Sequence, residues 1–121
     1  MGHAHEILSH LEALLVELQQ IAWQQRAALV ALRVGAVEAM TARQQLLLQE
    51  LHRWQEQMRE CLEHIEHEAE LRRRWERLKV QAAELRRLLQ LNRFLAQRAQ
   101  QHTAALLEIL VPHGYLYNQQ A

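Results

Sequence analysis

Histidine is the residue type with the clearest capacity for chemistry in this 121-residue chain, because the chain contains eight of them. His64 and His67 stand three residues apart, on one face of a helix, with Glu63 and Glu68 beside them. A zinc site needs three or four converging ligands, oriented by further hydrogen bonds. These carboxylates have no evident converging geometry, so we predict surface side chains and no metal site, with metal binding as the alternative. The same prediction and alternative apply to the N-terminal histidines His3, His5 and His10.

A run of arginines is the second cluster that could bind a ligand. Acidic residues at positions 68, 70 and 76 are interspersed with Arg72–Arg74 and Arg77, and Glu70 and Arg74 have the spacing of a favourable ion pair on a helix. This mixture of charges predicts a solvated helix surface, with docking of a partner protein as the first alternative and nucleic-acid binding as the second. Basic and acidic residues number 14 each. This balance argues against a nucleic-acid partner, since phosphate binding needs a surplus of positive charge on one face.

No arrangement typical of an enzyme active site occurs in the sequence. It contains no glycine-rich phosphate loop, no Ser-His-Asp grouping and no paired catalytic carboxylates. Cys61, the only cysteine, lies between Met58 and Ile65 in a helical apolar pattern. In such a pattern a thiol packs as a small hydrophobic group rather than acting as a nucleophile. We therefore predict that the protein is not an enzyme and uses no cofactor.

The composition also bears on the compartment. A single cysteine excludes an internal disulfide and fits a reducing environment. The longest apolar run, Ala27–Leu32, is far shorter than the roughly 20 residues of a membrane span. Residues 1–6 lack the basic segment and apolar core of a secretion signal. These features predict a cytoplasmic protein without membrane insertion.

Leucine, alanine, glutamine, glutamate and arginine dominate the composition, and this predicts an all-α fold. Apolar residues recur at steps of three and four, which predicts amphipathic helices. The prediction is an antiparallel helical hairpin followed by a third long amphipathic helix in a coiled-coil-like bundle, all in one domain at residues 1–121. We place the helices at residues 5–33, 36–66 and 69–110, with a flexible C-terminal tail at 111–121.

The two predicted breaks have different causes. Gly35 readily adopts the left-handed conformation and is expected to end the first helix. So short a break predicts that helices one and two lie antiparallel. Between Glu63 and Arg74 the apolar pattern falters without a glycine or a proline. A break is favoured there, and a bend or one continuous helix is the alternative.

The third predicted helix carries a broad apolar face. A heptad register runs through residues 71–110, and Leu88, Leu95 and Ile109 add a third column to it. A face of this width can contact two helices, or one helix and a guest. Asn92 interrupts the apolar register, and a lone asparagine in such a position either sets helix register or contacts a partner.

Four short segments of the C-terminal half form a further pattern: Arg74–Leu78 (RWERL), Leu88–Asn92 (LLQLN), Leu106–His113 (LLEILVPH) and Leu116–Tyr117 (LY). Together they resemble the R-W helix start, the L-x-x-x-N step, the A-L-x-x-L run and the closing L-Y-G of the FlgN-type flagellar export chaperones. The tail differs from the family pattern in having Asn118 where the family has glycine. Residues 6–8 and 44–51 match the family's first two helices more loosely, so the resemblance spans most of the chain.

The resemblance implies a cytoplasmic chaperone for the hook-associated proteins of the hook–filament junction. Such chaperones bind the client's C-terminal amphipathic helix and keep the client soluble. They then deliver it to the cytoplasmic domain of the flagellar type III export gate. By this resemblance, Leu116 and Tyr117 contact the export gate. The client would bind the broad face of the third helix at Leu85, Leu89, Asn92, Ala96, Ala99, Leu106 and Leu110.

Three other functions compete with this one. A histidine-based metal enzyme or sensor needs converging ligands that the sequence does not supply. A structural coiled-coil adaptor that dimerises through these seams needs only two apolar columns, whereas helices one and three show three. A related flagellar chaperone that serves the filament cap protein would have the same helical pattern. The identity of the client and the oligomeric state, monomer or dimer, stay open at this point.

Overall fold

The computed structural model describes residues 2–110, and all regular secondary structure in that range is helical, which confirms the all-α prediction. The four helices are α1 (Gly2–Val30), α2 (Val34–Arg59), α3 (Leu62–His67) and α4 (Ala69–Leu110). None of them is both long enough and apolar enough to cross a membrane. The predicted tail at residues 111–121, with Leu116 and Tyr117, lies outside the described residues.

α1 is the central helix of the bundle, because α2 and α4 both pack along it and scarcely contact each other. α1 and α2 are antiparallel, as predicted. His10, near the start of α1, stacks on Trp54, near the end of α2. Gln25, near the end of α1, bonds to Thr41, near the start of α2.

α4 runs parallel to α1 and is the longer of the two. Arg74, near the start of α4, contacts Glu12, whereas Asn92 contacts Ala22 farther along both helices. α4 has 42 residues and α1 has 29. At 1.5 Å per residue, the difference carries α4 past the end of α1 by about 20 Å. Every residue from 100 to 110 is accordingly exposed.

The core is one continuous cluster formed mainly by the apolar stripe of α1. It is closed by Leu47 and Met58 of α2, by Ile65 of α3 and by the leucines of α4. Cys61 is buried in this cluster, as the apolar pattern predicts. Such close-packed burial, rather than helix propensity alone, stabilises helices of this length.

The turn between α1 and α2 corrects the prediction for Gly35, because the left-handed residue is Leu32, with φ of 57°. The amide of Arg33 donates to the carbonyl of Ala28 (2.9 Å), and that of Leu32 to the carbonyl of Leu29 (3.1 Å). This pair of bonds is a Schellman motif, which satisfies the last carbonyl groups of a helix. Gly35 lies inside α2, where an added Cβ would meet nothing within 4 Å.

The helix predicted at residues 36–66 is interrupted. α2 ends at Arg59, a turn at Glu60 and Cys61 follows, and α3 is only six residues long. Glu68 has an extended backbone (φ −117°, ψ 118°) and separates α3 from α4. The chain therefore breaks before α4 rather than continuing as one long helix.

Candidate functional site

The seven residues predicted to bind a client on α4 have three different environments. Leu85 and Asn92 are buried against α1. Leu89, Ala96 and Ala99 are half-buried. Leu106 and Leu110 are exposed on the part of α4 that extends past α1.

Both the nitrogen and the oxygen of the Asn92 side-chain amide form hydrogen bonds. Its Nδ2 donates to the backbone oxygen of Ala22 (2.7 Å) and to Oε1 of Gln25 (3.1 Å). Nε of Arg26 donates to its Oδ1 at 3.4 Å. Buried polar groups require such partners, since an unpaired one is unfavourable by about 1–3 kcal/mol. These bonds fix the register of α4 on α1.

The hydrogen bonds at Asn92 continue into α2. Nε2 of Gln25 donates to Oγ1 of Thr41 (2.9 Å), and that hydroxyl donates to the carbonyl of Val37 (2.8 Å). One chain of side-chain bonds therefore crosses α4, α1 and α2. Gln25 is the link between the two interfaces. Its place in the apolar register of α1, between Ala22 and Leu29, indicates burial, but local spacing cannot show which side chains it joins.

The exposed end of α4 is strongly apolar. Ile109 and Leu110 are 75% and 74% exposed, and Leu106 and Leu107 are about half exposed. We call these four side chains the distal surface. Large exposed apolar groups that cluster in this way mark interaction sites. The α1–α2 turn lies at the same end of the bundle and adds three further exposed apolar side chains, Val30, Leu32 and Val34.

A second apolar surface, the α2–α4 groove, lies where these two helices pack on α1 without closing over it. Leu85 and Leu89, two of the predicted site residues, line its α4 wall. Two arginines, at positions 86 and 93, lie along the same edge. The full lining is Leu15 from α1, Leu48 and Leu51 from α2, and Ala82, Leu85, Arg86, Leu89, Gln90 and Arg93 from α4.

Arg74 departs from the prediction of a solvated arginine surface. It is half-buried, and its guanidinium donates to Oε1 of Glu12 (3.0 Å) and to Oγ of Ser9 (3.1 Å). Nδ1 of His5 lies 2.9 Å from the same guanidinium. Arg74 therefore pairs with α1 instead of with Glu70. The neighbouring arginines Arg72, Arg73 and Arg77 are exposed, as predicted.

The histidines considered as metal ligands, all within the described part of the chain, are not brought together. His64 and His67 are both exposed on α3. The imidazole of His10 stacks on Trp54, with ring centres 4.1 Å apart. Nε2 of His5 lies 3.4 Å from Oε1 of Glu68. Within residues 2–110, no group of three or more His, Cys, Asp or Glu side chains is placed to hold a metal ion.

Comparison with known proteins gives one match. Residues 1–120 match the family described as FlgN protein, and this covers nearly the whole chain. No curated protein and no solved structure matches. The family is one of flagellar export chaperones, which agrees with the resemblance of the C-terminal segments. Because the match covers nearly the whole sequence, this chain belongs to the FlgN family of flagellar export chaperones.

Proposed function

We propose that this chain is a cytoplasmic chaperone for the hook-associated proteins of the hook–filament junction. It binds their C-terminal helical segment, keeps them soluble and delivers them to the flagellar type III export gate. The observation that carries the proposal is the distal surface, where α4 presents four large apolar side chains to solvent. Exposed apolar area is unfavourable in water, and covering it supplies the driving force for binding a partner.

The distal surface continues the stripe of α4 that α1 covers. Asn92 and Ala99 lie on the same side of the helix as Leu106 and Leu110, because the heptad register is unbroken between them. α1 covers this stripe as far as Ala99, which is half-buried, and the stripe is exposed beyond it. An amphipathic client helix would pack on the exposed part in the way that α1 packs on the rest.

This arrangement divides the predicted client residues by role. Leu106 and Leu110 would contact the client directly, and the half-buried Ala96 and Ala99 would contact its end nearest the bundle. Asn92 is buried against α1, so it would act by holding α4 in place. Leu85, which is also buried, and the half-buried Leu89 line the α2–α4 groove instead of the distal surface. Leu116 and Tyr117, which resemble the family's tail motif, would contact the export gate. They follow Leu110 by only a few residues, so holding and delivery would use adjacent segments.

The test is calorimetric titration of the full chain with the C-terminal segment of a junction protein from the same organism. The double variant Leu106→Asp/Leu110→Asp should lose at least tenfold in affinity, since burying an unpaired carboxylate is strongly unfavourable. Its unfolding temperature should not change, because both side chains are exposed. Val80→Asp, at a comparably exposed apolar position of α4 outside the heptad register of Leu106 and Leu110, is the matched control. Unchanged affinity in the double variant would contradict the proposal.

The same titration separates this function from its nearest alternative. Binding of a filament-cap segment in place of the junction segment would indicate a flagellar chaperone that serves the filament cap protein.

A further inference from the structure

Four basic residues form a row along α4 at intervals of seven. Residues seven apart on a helix lie on nearly the same side, about 10 Å from one another. Two members of this row, Arg86 and Arg93, lie on the edge of the α2–α4 groove. The row consists of Arg72, Lys79, Arg86 and Arg93.

The two arginines at the groove have no acidic partner within residues 3–110. Lys79 of the same row pairs with Glu76 at 2.9 Å, and elsewhere Arg43 pairs with Glu17 at 2.8 Å. Neither Arg86 nor Arg93 forms such an ion pair in the described part of the chain. Two adjacent positive charges beside an apolar channel therefore remain available to a partner.

The groove has a defined shape and polarity. Its floor, Leu15, and its α2 wall, Leu48 and Leu51, are apolar, whereas the α4 edge carries the two guanidinium groups. α2, α1 and α4 occupy three positions of a bundle, and the groove is the place where a fourth helix would lie. A helix that fits must be apolar on the face that enters the groove and acidic along one edge.

We propose that the α2–α4 groove binds an amphipathic helix of the client, with carboxylates seven residues apart that pair with Arg86 and Arg93. Binding completes a four-helix bundle. The apolar face supplies the affinity, and the two charge pairs fix the direction and register of the guest. This inference rests on the proposed chaperone function. It adds a second docking region and the charge pattern of the helix that the region accepts.

The test uses three synthetic 21-residue amphipathic peptides in fluorescence anisotropy with the full chain carrying Leu106→Asp/Leu110→Asp, which prevents the peptides from binding at the distal surface. All three have leucine at the a and d positions of each heptad, and their flanks carry glutamate, glutamine or lysine. At low salt, the glutamate peptide should bind about tenfold more tightly than the glutamine peptide. Arg86→Glu/Arg93→Glu should abolish that preference and create one for a lysine-flanked peptide. Arg73→Glu/Arg87→Glu, at exposed positions about 100° around α4 from the row and outside the groove lining, should leave the preference unchanged.

A second pair of variants tests the location. In the Leu106→Asp/Leu110→Asp background, where the distal surface cannot bind the peptides, Leu48→Glu places a carboxylate in the groove wall and should abolish binding of every peptide, whereas Leu46→Glu, on the other side of α2, should not. Equal binding of the glutamate and glutamine peptides, an equal effect of the two arginine pairs, or binding that survives Leu48→Glu would each overturn the proposal. So would light scattering that shows a dimer which Leu48→Glu converts to a monomer, because a second copy of the chain would then occupy the groove. If the junction segment still binds through the distal surface, only the groove proposal fails and the chaperone function stands.

Discussion

The side-chain amide of Asn92 donates a 2.7 Å hydrogen bond to the backbone oxygen of Ala22, 70 residues earlier in the chain. It also donates to Gln25, and both acceptors lie in the interface between α1 and α4. Asn92→Leu removes both donors and leaves Oε1 of Gln25 buried without a partner. We expect the free energy of unfolding to fall by about 1–3 kcal/mol, measured by urea denaturation.

A double variant separates this effect from a change in packing. Asn92→Leu/Gln25→Leu removes donor and acceptor together, which is close to neutral when apolar groups of similar shape replace them. Thr41, which loses the bond from Gln25, still donates to Val37. The double variant should therefore recover most of the lost stability. If Asn92→Leu alone raises the free energy of unfolding, then the hydrogen bonds of Asn92 contribute less to stability than burial of a leucine side chain does.

Arg74 should contribute to stability in a way that its neighbour does not. Arg74→Met removes charge-assisted hydrogen bonds to Glu12 in a half-buried site, and we expect a loss of about 1–2 kcal/mol in the free energy of unfolding. Arg73→Met, at an exposed position, should change it by less than about 0.5 kcal/mol. Equal effects of the two substitutions in urea denaturation would show that the contacts with α1 add nothing.

The α1–α2 turn contains a residue that glycine would replace favourably. Leu32 has a positive φ, which is unfavourable for a side chain with a Cβ, and its own side chain is exposed. Leu32→Gly should therefore raise the free energy of unfolding by about 1 kcal/mol, despite the greater freedom of glycine in the unfolded chain. Leu32→Ala, which keeps the Cβ, is the control and should give no such gain. A lower thermal unfolding temperature for Leu32→Gly would contradict this reading of the turn.

Tyr117 should separate delivery from holding. It follows Pro112 and Gly114 and lies outside the heptad register, so Tyr117→Ala should retain the unfolding temperature and the affinity for the client segment. Affinity for the cytoplasmic domain of the export gate should fall by about 2 kcal/mol, the effect of losing a buried aromatic anchor. Export of the junction proteins should fall with it, while the client accumulates bound to the chaperone. Loss of client affinity in calorimetric titration would instead assign Tyr117 to the client site.

The sequence by itself determined the all-helical class and the apolar faces of α1 and α4, but neither the break at Glu60 and Cys61 nor the left-handed turn residue Leu32. Apolar spacing is a local property of a 3.6-residue turn, so Leu71, Leu78 and Leu85 could be assigned to one buried stripe without knowledge of any partner. The hairpin of α1 and α2 could also be predicted, because two helices joined by a connection of a few residues pack antiparallel against each other. The family resemblance also lay in local segments of α4 and the tail.

Only the tertiary structure decided which helix covers which face. The partners of Arg74 and Asn92 lie 62 and 70 residues away, and nothing in local spacing couples positions so distant. The prediction therefore paired Arg74 with Glu70 on its own helix and left two roles open for Asn92. The length by which α4 exceeds α1 and the failure of α2 and α4 to meet likewise depend on how whole helices pack. Those two features create the distal surface and the groove, because an amphipathic stripe is exposed wherever no neighbouring helix reaches it.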